Sequence, residues 1–153
     1  MLRTHGIDPP TLRAVLNPAD VAALQAVTAR IHVDDDLHDY AVQLTTYTRT
    51  HPKVALGASP RATLGLIGAG RALAVLRGRR FLVPQDVFDV APEVLRHRVM
   101  LSYEALADGV TADDVVRQVL ASVPAPTVTP REEAGHPAQT PAAGGPWLRE
   151  AAG

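Results

Sequence analysis

Cysteine is absent from these 153 residues, lysine occurs once, as Lys53, and aromatic side chains make up only 4%. The first absence removes disulfides and thiolate metal ligands, and fits a reducing compartment. The second removes the lysine-bearing phosphate loop G-x-x-x-x-G-K-[ST], because Lys53 stands in Pro52-Lys53-Val54 with no glycine-rich strand-to-helix turn before it. The third leaves no aromatic platforms on which nucleic-acid bases could stack. No apolar stretch is long enough to span a bilayer, and no basic-then-apolar leader opens the chain. A formal charge of -1 exerts no global pull toward nucleic acid or an anionic membrane. Ser59, Ser102 and Ser122 have no arguable histidine and acid partners, and Glu93 and Glu104 form no defensible acid–base pair. The expectation is a soluble, cytoplasmic protein without catalytic apparatus of its own.

What is present is helical. A hydrophobic fraction of 46% permits one real core. Asn17 caps a first helix with Pro18 at its first position and Val21, Leu24, Thr28 and Ile31 on one face. Asp34 caps a second, whose stripe is Leu37, Tyr40, Ala41, Leu44 and Tyr47. A third spans residues 60–77 and stops at Gly78, as a left-handed C-terminal glycine stops a helix. After an extended piece at 81–83, Pro84 opens a fourth, which Pro92 interrupts or restarts before Arg98. Residues 99–101 suit a short strand, and a last helix runs from Thr111, with Asp114 set for a capping box, to about Ala121. The fold class is therefore an all-α small helical bundle with at most one short strand pair. Residues 1–16 read as a connector, 17–122 as the helical domain, and 123–153, rich in Pro, Ala and Gly, as a disordered tail. Within that tail Trp147 is either a solvated side chain or a short docking motif.

The most informative segment is Gly57-Ala58-Ser59-Pro60-Arg61-Ala62. Ser59 is a good N-cap, able to accept from an amide two or three residues on, and Pro60 takes the first helical position, where no N–H is needed. Arg61 then falls in the first turn, where the helix dipole favours acids and a cation is disfavoured unless something anionic meets it. A phosphate would do so. On a helical wheel Arg61 shares its side with Gly65, Gly68 and Ala72, opposite a stripe of Leu66, Ile67, Gly70, Leu73 and Ala74. Three glycines inside one helix cost roughly 1 kcal/mol each relative to alanine, which asks for a packing reason.

The hexapeptide and its surroundings resemble the lid of the MoxR family of AAA+ ATPases. The resemblance runs in order through Leu2-Arg3-Thr4-His5-Gly6, Ala23-Leu24-Gln25, Ile31-His32-Val33-Asp34, His51-Pro52 and the hexapeptide. It continues through Leu76-Arg77-Gly78-Arg79, Val83-Pro84-Gln85-Asp86-Val87, the run Ala91-Pro92-Glu93-Val94-Leu95-Arg96-His97-Arg98, and Gly109-Val110-Thr111-Ala112-Asp113-Asp114-Val115-Val116. It implies that Arg61 is the sensor 2 arginine, serving both catalysis and nucleotide binding by reaching the γ-phosphate of ATP held with Mg2+ in a core domain. It further implies neighbouring ring subunits, chaperone-like remodelling, and clients with von Willebrand factor A domains. Since the phosphate loop and an acid-tipped strand for magnesium are missing, the chain reads as a lid without its core, a fragment or truncated frame inactive alone. Val83 stands where relatives carry a helix-capping Thr, a loss of about 1 kcal/mol.

Other constellations carry less. His32-Val33-Asp34-Asp35-Asp36-Leu37-His38-Asp39 has metal-binding residue types, but its consecutive acids fan around a helix start, which the dipole explains without a metal. Gly65-x-x-Gly68-x-Gly70 has the wrong spacing for a dinucleotide fingerprint. Arg71, Arg77, Arg79 and Arg80, with Arg96, His97 and Arg98 further on, leave a DNA- or protein-binding helical module open as an alternative, beside a regulatory decoy for the intact ATPase. For Arg77 alone, capping the helix C-terminus is the favoured role.

Overall fold

The computed structural model describes residues 14–127. Expectations for most of the connector and for the tail beyond Thr127, Trp147 included, fall outside those residues. The order is α1 (Pro18–Ala29), α2 (Asp35–Thr50), β1 (Val54–Leu56), α3 (Pro60–Leu76), α4 (Pro84–Leu95), β2 (Met100–Leu101), α5 (Tyr103–Ala107) and α6 (Ala112–Ser122). The all-α reading with one short strand pair holds: β1 and β2 form an antiparallel two-stranded sheet with Val54 opposite Leu101 and Leu56 opposite Met100.

Local chemistry starts most of the helices. Asn17 and Asp20 form a reciprocal capping box on α1, and Thr111 and Asp114 another on α6. Asp34 accepts from the Asp36 amide at α2, and Ser102 from Ala105 at α5. Gly78, at φ 72°, terminates α3 in the left-handed conformation expected of it. Helix α4 runs through Pro92 without a break, although Pro92 has no N–H to give the Phe88 carbonyl four residues before it.

The core is a single cluster that includes Ile31, Leu37, Leu44, Leu66, Val87, Leu95, Val116 and Val119, with α3 central to it and α4 its closest companion. Two stripes differ from expectation. On α1, Leu24 and Val27 pack on the core while Val21 stays 43% exposed. On α2 the buried positions after Leu44 are Thr45 and Thr48, not Tyr47. Those threonines tolerate burial because their hydroxyls bond back to helix carbonyls, Thr45 to Ala41 and Thr48 to Thr45. Val123, just past α6, is also buried in the cluster. A parallel bridge between His32 and Phe81 ties the α1–α2 link to the α3–α4 link, through His32 N–H to Arg80 O and Leu82 N–H to His32 O.

Two of the three helix glycines have packing reasons, and neither concerns an outside ligand. A Cβ at Gly65 would come 3.1 Å from Val94 of α4, and one at Gly70 would come 2.8 Å from Leu82. Gly65 therefore belongs to the α3–α4 contact and not to an open face beneath Arg61. Gly68 meets nothing. Gly57 is tighter still, its hypothetical Cβ lying 2.6 Å from the Arg49 Cα of α2. Gly57→Ala is accordingly expected to lower stability by about 1–3 kcal/mol through forced separation of the loop from α2. Gly68→Ala should raise it by roughly 0.5–1 kcal/mol through helix propensity. Urea unfolding midpoints of the two variants check both signs.

Candidate functional site

Each residue of the hexapeptide has a distinct local task. Gly57 lets the chain cross the α2 backbone. Ala58 is fully buried; its N–H donates to Thr48 Oγ1 at 2.9 Å and its carbonyl accepts from Arg49 Nε at 2.9 Å. Ala62 is also fully buried, and Thr63 Oγ1 donates to Thr45 Oγ1 at 3.0 Å. Between these anchors Ser59, Pro60 and Arg61 are exposed. Ser59 occupies the N-cap position with extended backbone, but its side chain makes no capping bond, contrary to expectation. Among the described residues, no side chain therefore caps the start of α3.

Arg61 has no hydrogen-bond or ion-pair partner among the described residues. That sets it apart from Arg49, which holds Ala58, from Arg96, paired with Glu93, and from Arg117, paired with Asp114. Helix α3 also has no acid in its first turn, whereas α1, α2, α4, α5 and α6 carry Asp20, Asp35 and Asp36, Asp86, Glu104, and Asp113 and Asp114 there. An uncapped helix start with outward amides and an unpaired guanidinium suits an anion.

The opposite end of α3 is closed by charges of the chain itself. Asp86, in the first turn of α4, is completely buried. Arg79 grips both its oxygens at 2.5 and 2.6 Å, Arg77 adds a bond of 2.9 Å, and the Val83 amide donates at 3.1 Å. That last bond is the half of a capping box that needs nothing from the Val83 side chain. Arg77 also pairs with Asp89 at 2.6 Å, while Gln85 holds the other oxygen of Asp89. The Arg77 hydrogen bond, then that from Gln85, keeps the Asp89 carboxyl below its usual range. Arg77 thus holds the C-cap position of α3 with its backbone while its side chain serves the α4 carboxylates. Arg77 and Arg79 are both engaged by carboxylates of the chain itself.

The remaining sequence candidates resolve as structural. His51 is buried, with Nδ1 accepting from the Lys53 amide at 3.3 Å and Nε2 facing Gln118 Oε1 at 3.1 Å, so the proton sits on Nε2. No group of three or more His, Asp or Glu gathers into a metal site among the described residues, the His32–Asp39 run included. No helix of the structure is long and apolar enough to cross a membrane. Sequence reasoning missed the closed end of the helix: Asp86 carried only the signal of an acid after Pro84, and its two arginines come from the turn before it.

An AAA lid domain model matches residues 46–119, which span α2's second half through most of α6. Residues 46–119 are thus an AAA lid domain. Proteins named MoxR are among those to which the chain is similar. It is 41% identical over 140 residues to chaperone MoxR1 of Mycobacterium tuberculosis, covering 86% of this chain and 37% of that protein. It is 36% identical over 124 residues to the uncharacterized protein YeaC of Bacillus subtilis, covering 81% and 38%. A 72-residue stretch is 46% identical to protein MoxR of Methylorubrum extorquens, covering 46% of this chain and 21% of that one. A solved structure described as a presumptive ATPase from Cytophaga hutchinsonii superimposes with a TM-score of 0.68 at 26% identity, over 71% of this chain and 36% of that one. The chain thus spans little more than a third of the length of MoxR1 and YeaC.

Two outcomes follow from the charges. Removing both Arg77 and Arg79 strands a buried carboxylate and should cost about 3–5 kcal/mol, whereas Asp86→Ala should cost less, about 1–3 kcal/mol, because the guanidinia can turn to water. Urea unfolding of the two variants measures the order. Asp89 and Asp114, the latter held down first by the Thr111 hydroxyl and amide, have folded values below the usual carboxylate range. The folded state therefore binds fewer protons than the unfolded one near pH 4. Stability should be complete above about pH 5 and fall as pH drops through the folded values, and Asp114→Asn should flatten that slope in thermal melts.

Proposed function

We propose that this chain acts as the lid of a MoxR-type AAA+ ATPase, with Arg61 as the sensor 2 arginine. The observation that carries the reading is the start of α3: an exposed, unpaired arginine on a helix N-terminus that has neither side-chain cap nor acid. Arg61 and the first-turn amides would meet the terminal phosphate of ATP held by a core domain. The nucleotide, when bound, supplies the phosphoryl group and the negative charge that those donors face. What the chain contributes is placement. The Thr48, Arg49 and Gly57 contacts fix the backbone so that the guanidinium is presented without reorganisation.

Magnesium accompanying the nucleotide would take its ligands from the core domain and the phosphates, since the described residues gather no carboxylate set. The partners in this reading are a core AAA+ domain and neighbouring ring subunits. The work is chaperone-like remodelling, with von Willebrand factor A domain proteins among the clients and the cytoplasm as the compartment.

Joined to a matching core domain, Arg61→Ala should lower ATP turnover by roughly 10- to 100-fold while leaving the fold intact. Arg98→Ala, at an exposed arginine beyond α4, is the control. Arg79→Ala is unsuitable, because it disturbs the buried Asp86. Equal, small effects at Arg61 and Arg98 would make Arg61 an ordinary surface residue. The chain by itself should show no magnesium-dependent ATP hydrolysis, and activity that survives further purification would overturn the proposal.

A further inference from the structure

Helix α2 carries an apolar surface on the side away from the core. Val42 is 49% exposed and Tyr47 36%, and with Gln43, Thr46 and Thr50 they wall an open groove of about 360 Å³. Its other wall is Ser122, Val123 and Pro124, where the chain leaves α6. The Tyr47 ring is set edge-on against buried His51, with centroids 6.3 Å apart, so this wall is held in place. The groove lies at the small end of the roughly 300–1,000 Å³ typical of ligand pockets, room for one large side chain rather than an extended ligand.

We propose that this groove is the docking site for the chain's own segment Pro146-Trp147-Leu148. The occupant is argued from where the described chain ends. Ser122 to Pro124 form one wall, the described residues stop at Thr127, and nineteen residues separate Thr127 from Trp147. A random-coil linker of that length would span about 25 Å, ample to return from Thr127 to a groove a few residues away. A tether so short holds Trp147 at an effective concentration in the millimolar range, so weak affinity suffices. Trp147 is the only tryptophan, and an indole meeting Tyr47 and Val42 buries roughly 150–250 Å² of its own surface. Its N–H needs an acceptor, which Gln43 and Thr46 offer at the rim. The contact is independent of the nucleotide role of Arg61.

Because Trp147 is the sole indole, its fluorescence in the full chain reads the contact directly. The expected result is a blue-shifted emission and acrylamide quenching at least roughly twofold below that of a free peptide of residues 140–153. Val42→Glu should return both to the peptide's values with the circular dichroism unchanged, since Val42 lies outside the core. As a second reading, deleting residues 128–153 should shift the methyl resonances of Val42 and leave those of Leu66 in place. Emission and quenching equal to the peptide's in the full chain would overturn the proposal. So would a blue shift that persists in the Val42→Glu variant, or one that vanishes on dilution, which would mean contact between two copies.

Discussion

The carboxylate of Asp86 is the interaction on which the arrangement of α3 and α4 depends. It is wholly removed from water, and two guanidinia and one amide replace the hydration it gives up. Such a group tolerates little movement of its partners, because losing them exposes the full desolvation penalty of a buried charge. The turn carrying Arg77 and Arg79 is thereby pinned to the first turn of α4. The close approaches at Gly65 and Gly70 are then possible along the rest of the pair.

The two ends of α3 are built on opposite electrostatic plans. At its C-terminal end every nearby charge is met within the chain, by Asp86 and Asp89. At its N-terminal end the backbone is anchored with equal care, through Ala58 and Thr63, yet the charge is left unmet. The fold pairs four of its described arginines with its own carboxylates and a fifth, Arg49, with a carbonyl, and Arg61 is among those left without a partner, on an anchored stretch of backbone.

How much of this was legible follows from how local each signal is. The starts of α1, α2, α3, α4 and α6 were readable because a capping residue, a proline or an acid within four residues marks each of them. Gly78 marked a helix end for the same reason. Strand β1 left no mark, since three residues become a strand only when Met100 and Leu101 arrive from far along the chain. The five-residue α5 was too short to show a period. Thr48 displaced Tyr47 on the buried side of α2 because the Ala58 amide needs its hydroxyl, a demand set by tertiary structure. The position of Arg61 was legible from its hexapeptide, but the missing Ser59 cap, which leaves the helix end more open, was not.

The seventeen residues of α3 make a rod of about 25 Å. One end of that rod is the exposed arginine, and the other is locked by charge to α4. A force applied at the guanidinium cannot be relieved by bending a loop, because Gly57 and Ala58 are clamped to α2. Both ends of the rod are thus fastened to the rest of the bundle, one through backbone contacts and the other through ion pairs.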